Sequence, residues 1–196
     1  MSKELPIIST STQDEGQEIE DAIYSRVFCL REDSPPLRLL LDFLKSKNQI
    51  PLIPKMDPAA LDDWDWVQLS LGYHRERKPI QLFCVRDRGT YKDLWEQERE
   101  KFVNQLSYHD DEGAIMTREF VSGARFIATT RMIANDITEE GYDFNGWILE
   151  FFQENCNGLV QIDRQGFFSP KGEIVVDDME ETNEDPTIEN AKLSHL

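Results

Sequence analysis

The residues that usually advertise chemistry are scarce in this chain. Histidine and cysteine occur three times each in 196 residues. His74, His109 and His195 have no partner at ligand spacing, and neither HExxH nor CxxC occurs, which speaks against a dedicated zinc site. Cys29, Cys84 and Cys156 are an odd, widely spaced trio among apolar neighbours ("RVFCL", "QLFCV", "QENCN"). That pattern suits reduced thiols in a core rather than a disulfide framework. Cys156 has no histidine or basic residue near it in sequence to lower its pKa, so it reads as a small core residue and not a nucleophile.

Glycine is confined to isolated turns such as "RDRG", "DFNG" and "CNG". No phosphate-cradling loop and no GxSxG elbow is present. No apolar run has the length needed to cross a bilayer. The start, "MSKELPIISTSTQDEGQEIED", lacks both the basic and the apolar part of a secretory signal. A cytoplasmic location is expected, with no membrane association and no cofactor.

Basic charge is outnumbered, 21 Lys and Arg against 38 Asp and Glu. Residues 1–22 hold six of the acids and one base, and residues 173–196 hold eight and one. Between them 24 acids face 19 bases, a net charge of only −5. General nucleic-acid binding is not expected, because no basic stripe is available to neutralise phosphates. The expected organisation is an acidic flexible N-terminal arm at 1–22, an α+β body at 23–176 and an acidic disordered tail at 177–196. Both ends are too polar and too poor in aromatics to offset their ordering entropy. Either one is also a peptide able to dock on a basic partner or to cover the protein's own basic groove.

What is present is a clear set of amphipathic segments. "IYSRVFCL" at 23–30 reads as a strand, and "LRLLLDFLKSK" places Leu37, Leu40, Leu41 and Leu44 at helical spacing after Ser34, Pro35 and Pro36. Val67, Leu69, Leu71 and Tyr73 alternate with polar or small residues, and "IQLFCV" at 80–85 returns beyond the turn "RERKP", an antiparallel hairpin. "YKDLWEQEREKFVNQL" at 91–106 is a second helix, and "ARFIATTRMIA" at 124–134 a further strand. A third helix is expected at 147–156, with Asp143 or Asn145 as its cap and Gly158 as its terminator. Strands follow at 159–163, after "RQG", and at "EIVV".

These elements predict an α+β fold, a mostly antiparallel sheet with about three helices on one face. Strand-helix-strand-strand recurs at 23–85 and 124–176, which admits two duplicated split βαβ (ferredoxin-like) halves, 23–106 and 107–176. The fold class itself implies no activity.

Two clusters are candidates for function. Asp57, Asp62, Asp63 and Asp65 in "MDPAALDDWDW" do not have calcium-loop spacing, but paired carboxylates are what a hydrolase or a magnesium site requires. Asp62, Asp63 and Asp65 with His74 form the alternative catalytic set; in the main reading there is no catalytic residue and no metal. "YHRERKP" at 73–79 is the basic cluster: Arg75, Arg77 and Lys78 are suited to an anion or acidic peptide, with Tyr73 and His74 adding hydrogen bonds. Trp64 and Trp66 stand at the entry to the strand at 67–73, and whichever of them is exposed would mark a partner surface. The leading expectation is a non-catalytic interaction or regulatory module that binds a protein partner or self-associates, for example as a homodimer. The alternatives are a small-anion-binding protein, or a carboxylate-based, metal-assisted hydrolase built from the 57–65 loop and the 73–78 turn.

Overall fold

Residues 21–177 are described by the computed structural model. The strands are β1 (Ala22–Cys29), β2 (Gln68–Leu71), β3 (Ile80–Arg86), β4 (Phe126–Ile133), β5 (Gly158–Ile162), β6 (Gly166–Phe168) and β7 (Ile174–Val176). They form one sheet in the order β2-β3-β4-β1-β5-β6-β7, every neighbouring pair antiparallel. The helices are α1 (Leu37–Ser46), α2 (Lys92–Leu106), α3 (Glu112–Ser122) and α4 (Glu139–Cys156). This is the expected α+β fold with an antiparallel sheet. The acidic ends lie outside the described residues, apart from Asp21, Ala22 and Asp177.

The helices do not share one face. Val27, Cys29, Leu82, Cys84, Phe126 and Ala128 pack against Leu37, Leu40 and Leu44 of α1 and Phe144, Ile148 and Phe152 of α4. On the opposite side Phe28, Phe83, Val85, Ile127 and Leu159 meet Trp95, Phe102 and Leu106 of α2 and Ala114 and Val121 of α3. The central strands are accordingly apolar on both sides, as a doubly covered sheet requires. The one-sided alternation read from 67–73 holds locally, in β2: Leu69 and Leu71 are buried while Gln68 and Ser70 are not.

α3 is a fourth helix beyond the expected three. Its buried stripe is only Ala114, Thr117 and Val121, too narrow and too polar to register as helical periodicity. Its start is nevertheless conventional, with the Ala114 N–H donating to Asp111 Oδ1 at 2.9 Å. α4 begins eight residues before the expected 147. Thr138 is its cap, accepting from the Gly141 N–H, and Glu139 and Glu140 complement the dipole. Gly141 and Asn145, which resemble turn residues, are buried instead: a Cβ on Gly141 would lie 2.6 Å from Tyr73 Cζ, and Asn145 Nδ2 donates to Ser25 Oγ at 3.4 Å. The helix ends at Asn157, with φ of 49°, and not at Gly158, which is already in β5.

β1 lies between β4 and β5, and β4 between β3 and β1. Strands from 23–106 and 107–176 therefore interleave in a single sheet, and neither stretch carries a sheet of its own. A duplication is not shown.

Candidate functional site

The acidic loop and the basic turn do not converge. Asp62 turns toward α1, where Arg38 donates to both its oxygens at 2.5 and 2.8 Å. Those hydrogen bonds hold its carboxyl below the usual carboxylate range. Asp57 Oδ1 accepts from the Ala59 N–H at the start of a short 3-10 turn, Pro58–Leu61, and Asp63 Oδ1 accepts from the Asp65 N–H. Asp65 is 3.7 Å from Arg86. The loop is pinned from beneath by that arginine: Arg86 Nη2 donates to Ser34 Oγ (2.7 Å) and to the carbonyls of Trp64 (2.8 Å) and Trp66 (2.7 Å). Trp66 is buried with its Nε1–H on the Pro35 carbonyl. Trp64 is 46% exposed and lies under the Arg88 guanidinium. Trp64 is thus the outward one of the two, while the acids of this loop cap turns and pair with arginines.

The basic turn does border a cavity. Beyond β2 the chain forms one bridge to Leu52, whose N–H donates to the Gly72 carbonyl at 2.8 Å while the Gly72 N–H returns the bond at 2.8 Å. Beside that bridge is an open cleft of about 300 Å³. Leu52, Ile53, Pro54 and Pro79 give it apolar lining, Arg75 and Arg77 give it positive charge, and His74 adds an imidazole. Ser70 and Gly72 supply strand edge. The Val67 carbonyl accepts from Cys84 N–H on the β3 side and Gly72 bonds on the other side, so alternation turns the Ser70 N–H and C=O toward the free edge.

Of the residues expected in this cluster, His74 lines the cleft with Nδ1 accepting from the Glu76 N–H at 3.2 Å. Among the described residues Arg75 has no ion-pair partner. Arg77 reaches Asp136 at 3.5 Å, and the Lys78 N–H donates to the same carboxylate at 2.6 Å. Tyr73 departs from expectation. Its ring packs against Phe144 at 6.2 Å and its hydroxyl is directed at Gly141, where it is buried without a partner among the described residues. It supports the turn from behind and has no hydroxyl to offer a ligand.

Two further clusters complete the interior, the first unforeseen from the sequence and the second expected there as reduced core thiols. Arg26 is buried in the centre of the sheet, its Nε donating to Glu98 of α2 and its Nη1 to Gln161 (2.9 Å) and Asp163 (2.5 Å). Burial works against the charge, but the facing Glu98 and Asp163 carboxylates outweigh it and raise the guanidinium's pKa. The available signal was a lone charge inside a strand of otherwise uncharged, mostly apolar residues. The second cluster is the three thiols, which come from β1, β3 and α4 into the same core. Burial raises Cys84 to about 12 and holds Cys29 well above the ordinary thiol range, with the neighbouring Cys156 adding to the latter. All three thiols are buried away from solvent, so none should react with Ellman's reagent in the folded protein, and all three should react in denaturant. A thiol titrating quickly under native conditions would contradict this.

Among the described residues no three His, Cys, Asp or Glu side chains are placed to hold a metal ion, and no helix is long and apolar enough to cross a membrane. No family model, no curated protein and no solved structure matches this chain.

Proposed function

We propose that the chain is a non-catalytic binding module whose cleft at 52–54 and 70–79 takes an extended acidic segment of a protein partner. The observation that carries this reading is the meeting of two guanidinium side chains, Arg75 and Arg77, and the His74 imidazole with an apolar lining at a strand edge. Guanidinium groups give directional, charge-assisted hydrogen bonds to carboxylates. The edge of β2 offers main-chain pairing of the kind that adds a peptide strand to a sheet. Ile50 and Leu52, 80% and 40% exposed, extend the apolar surface beside the charge. The cleft lacks a carboxylate in its lining, which favours an acidic occupant over a basic one and gives hydrolysis no acid-base pair there.

The test is fluorescence anisotropy with a labelled ten-residue peptide of alternating Glu and Val, beside its Lys-Val counterpart. The acidic peptide should bind and the basic one should not. Arg75→Glu with Arg77→Glu should weaken binding at least about ten-fold, the equivalent of 1.4 kcal/mol, with the circular dichroism spectrum unchanged. Equal binding of both peptides, or affinity retained in the charge-reversed variant, would sink the reading.

Self-association is the second reading. It is favoured by β7, an outermost strand on which Ile174 and Val175 are exposed, since apolar side chains on an edge strand favour pairing with another chain.

A further inference from the structure

We infer that the anion this cleft selects is the phosphate of a phosphorylated serine or threonine, carried on the extended partner segment. This rests on the reading of the cleft as an acidic-peptide site and names the chemical group that the site prefers.

The donors beside the cleft outnumber what one carboxylate can accept. Arg75 and Arg77 both line it, and Glu76 between them does not. Arg75 has no ion-pair partner among the described residues. Arg77 commits only Nη1 to Asp136, at 3.5 Å, and a guanidinium carries five N–H donors. His74 accepts at Nδ1 from the Glu76 N–H, so its ring proton is on Nε2, a further donor. A glutamate side chain offers two oxygens and a single charge. A phosphoserine offers three oxygens and a charge of about −1.5 to −2 near neutral pH. Arginine clusters are the usual means of recognising that group on a peptide.

The turn is held in place before any ligand arrives. The Asp136 carboxylate takes the Lys78 N–H at 2.6 Å besides its contact with Arg77. The Gly72–Leu52 bridge, 2.8 Å in both directions, fixes the other end. Donors positioned in advance lose little freedom on binding. Asp136 also makes the site selective, because an anion that engages Arg77 competes with this carboxylate. A second carboxylate enters that contest on equal terms, whereas a phosphate enters it with more charge.

Charge outside the cleft points the same way. Between residues 23 and 172, 24 acids face 19 bases, so a long polyanion is repelled by most of the surface it crosses. One phosphate concentrates its charge where Arg75 and Arg77 stand. Apolar residues flanking it then meet Leu52, Ile53 and Pro54, and the main chain of Ser70 is there to pair with the segment.

Fluorescence anisotropy on the full chain tests this with three forms of the Glu-Val peptide, whose central residue is phosphoserine, Glu or Ser. The phosphoserine form should bind at least about ten-fold more tightly than the Glu form, the effect of one further hydrogen bond to a charged group. The Ser form should bind no more tightly than the Glu form. Arg75→Lys combined with Arg77→Lys keeps the charge and removes both guanidinium forks, and the preference for phosphoserine should then be lost. Equal affinity for the phosphoserine and Glu forms overturns the inference and keeps the acidic-peptide cleft. A preference unchanged in the lysine variant overturns it as well, since the phosphate would then be held elsewhere. No binding of any form removes the cleft itself, and the inference with it. Inorganic phosphate and a single-stranded oligonucleotide should displace the phosphopeptide only at much higher concentration. Displacement by either at equal concentration would make this a free-anion or nucleic-acid site and overturn its assignment to a phosphorylated segment.

Discussion

Arg26→Ala should destabilise the protein by about 3–5 kcal/mol, the penalty typical of removing one partner from a buried ion pair. Arg26 and Glu98 are both almost fully buried, whereas Asp163 is one-third exposed. Without the guanidinium, Asp163 can be hydrated where it is. Glu98 cannot, being on the inner face of α2 above the sheet. The cost should therefore fall mainly on Glu98, and adding Glu98→Leu to an Arg26→Met chain should recover much of the loss, because apolar replacement of a whole buried pair is often neutral or favourable. At about 2–4 °C per kcal/mol for a chain of this size, the single variant should melt roughly 6–20 °C lower. Urea unfolding of the three proteins decides the matter. A loss under about 1 kcal/mol for Arg26→Ala, the range of exposed pairs, would mean that water reaches the pair.

Phe152→Ala should cost about 3–5 kcal/mol through lost burial and the cavity left behind. Phe152 is fully buried between α4 and the sheet, its ring centroid 5.2 Å from Phe151, 6.3 Å from Trp66 and 6.5 Å from Phe126. Three aromatic neighbours held by a helix, a loop and a strand cannot all move inward, so little of the void should close. Phe152→Leu keeps most of the volume and should cost under about 1.5 kcal/mol. Trp66 provides a local reporter: its emission should shift to the red in the alanine variant as water or mobility reaches the site, and much less in the leucine variant. Equal losses for alanine and leucine would instead point to the ring's stacking rather than its volume.

The elements with one wide apolar face were legible from the residues alone. α1, with Leu37, Leu40, Leu41 and Leu44 in register, and the β2–β3 hairpin both fall where the periodicity puts them. What was illegible has a common cause: tertiary contacts overrode local preference. Gly141 and Asn145 look like a turn and are helical because Tyr73 and Ser25 pack on them. α3 buries three small or polar side chains, so its stripe never rises above its charged surroundings. The basic turn could be read as a cluster, since its members are adjacent in the chain. Its apolar lining could not, because Leu52, Ile53 and Pro54 come from a proline-rich connection twenty residues earlier. The carboxylates near them in sequence were misleading for the same reason, as Arg38 and Arg86 draw them away.

The interleaved strand order has a consequence for how the molecule is made. β1 emerges from a ribosome well before both of its neighbours in the sheet, which begin at Phe126 and Gly158. At roughly 5–20 residues per second of synthesis, "YSRVFC" waits on the order of ten seconds with its backbone unpaired. Arg26, costly once buried, is during that interval a charge in the middle of a strand with apolar neighbours, and charge of that kind discourages premature pairing with another chain. The residue that later holds the centre of the sheet is then, on the nascent chain, a safeguard against aggregation.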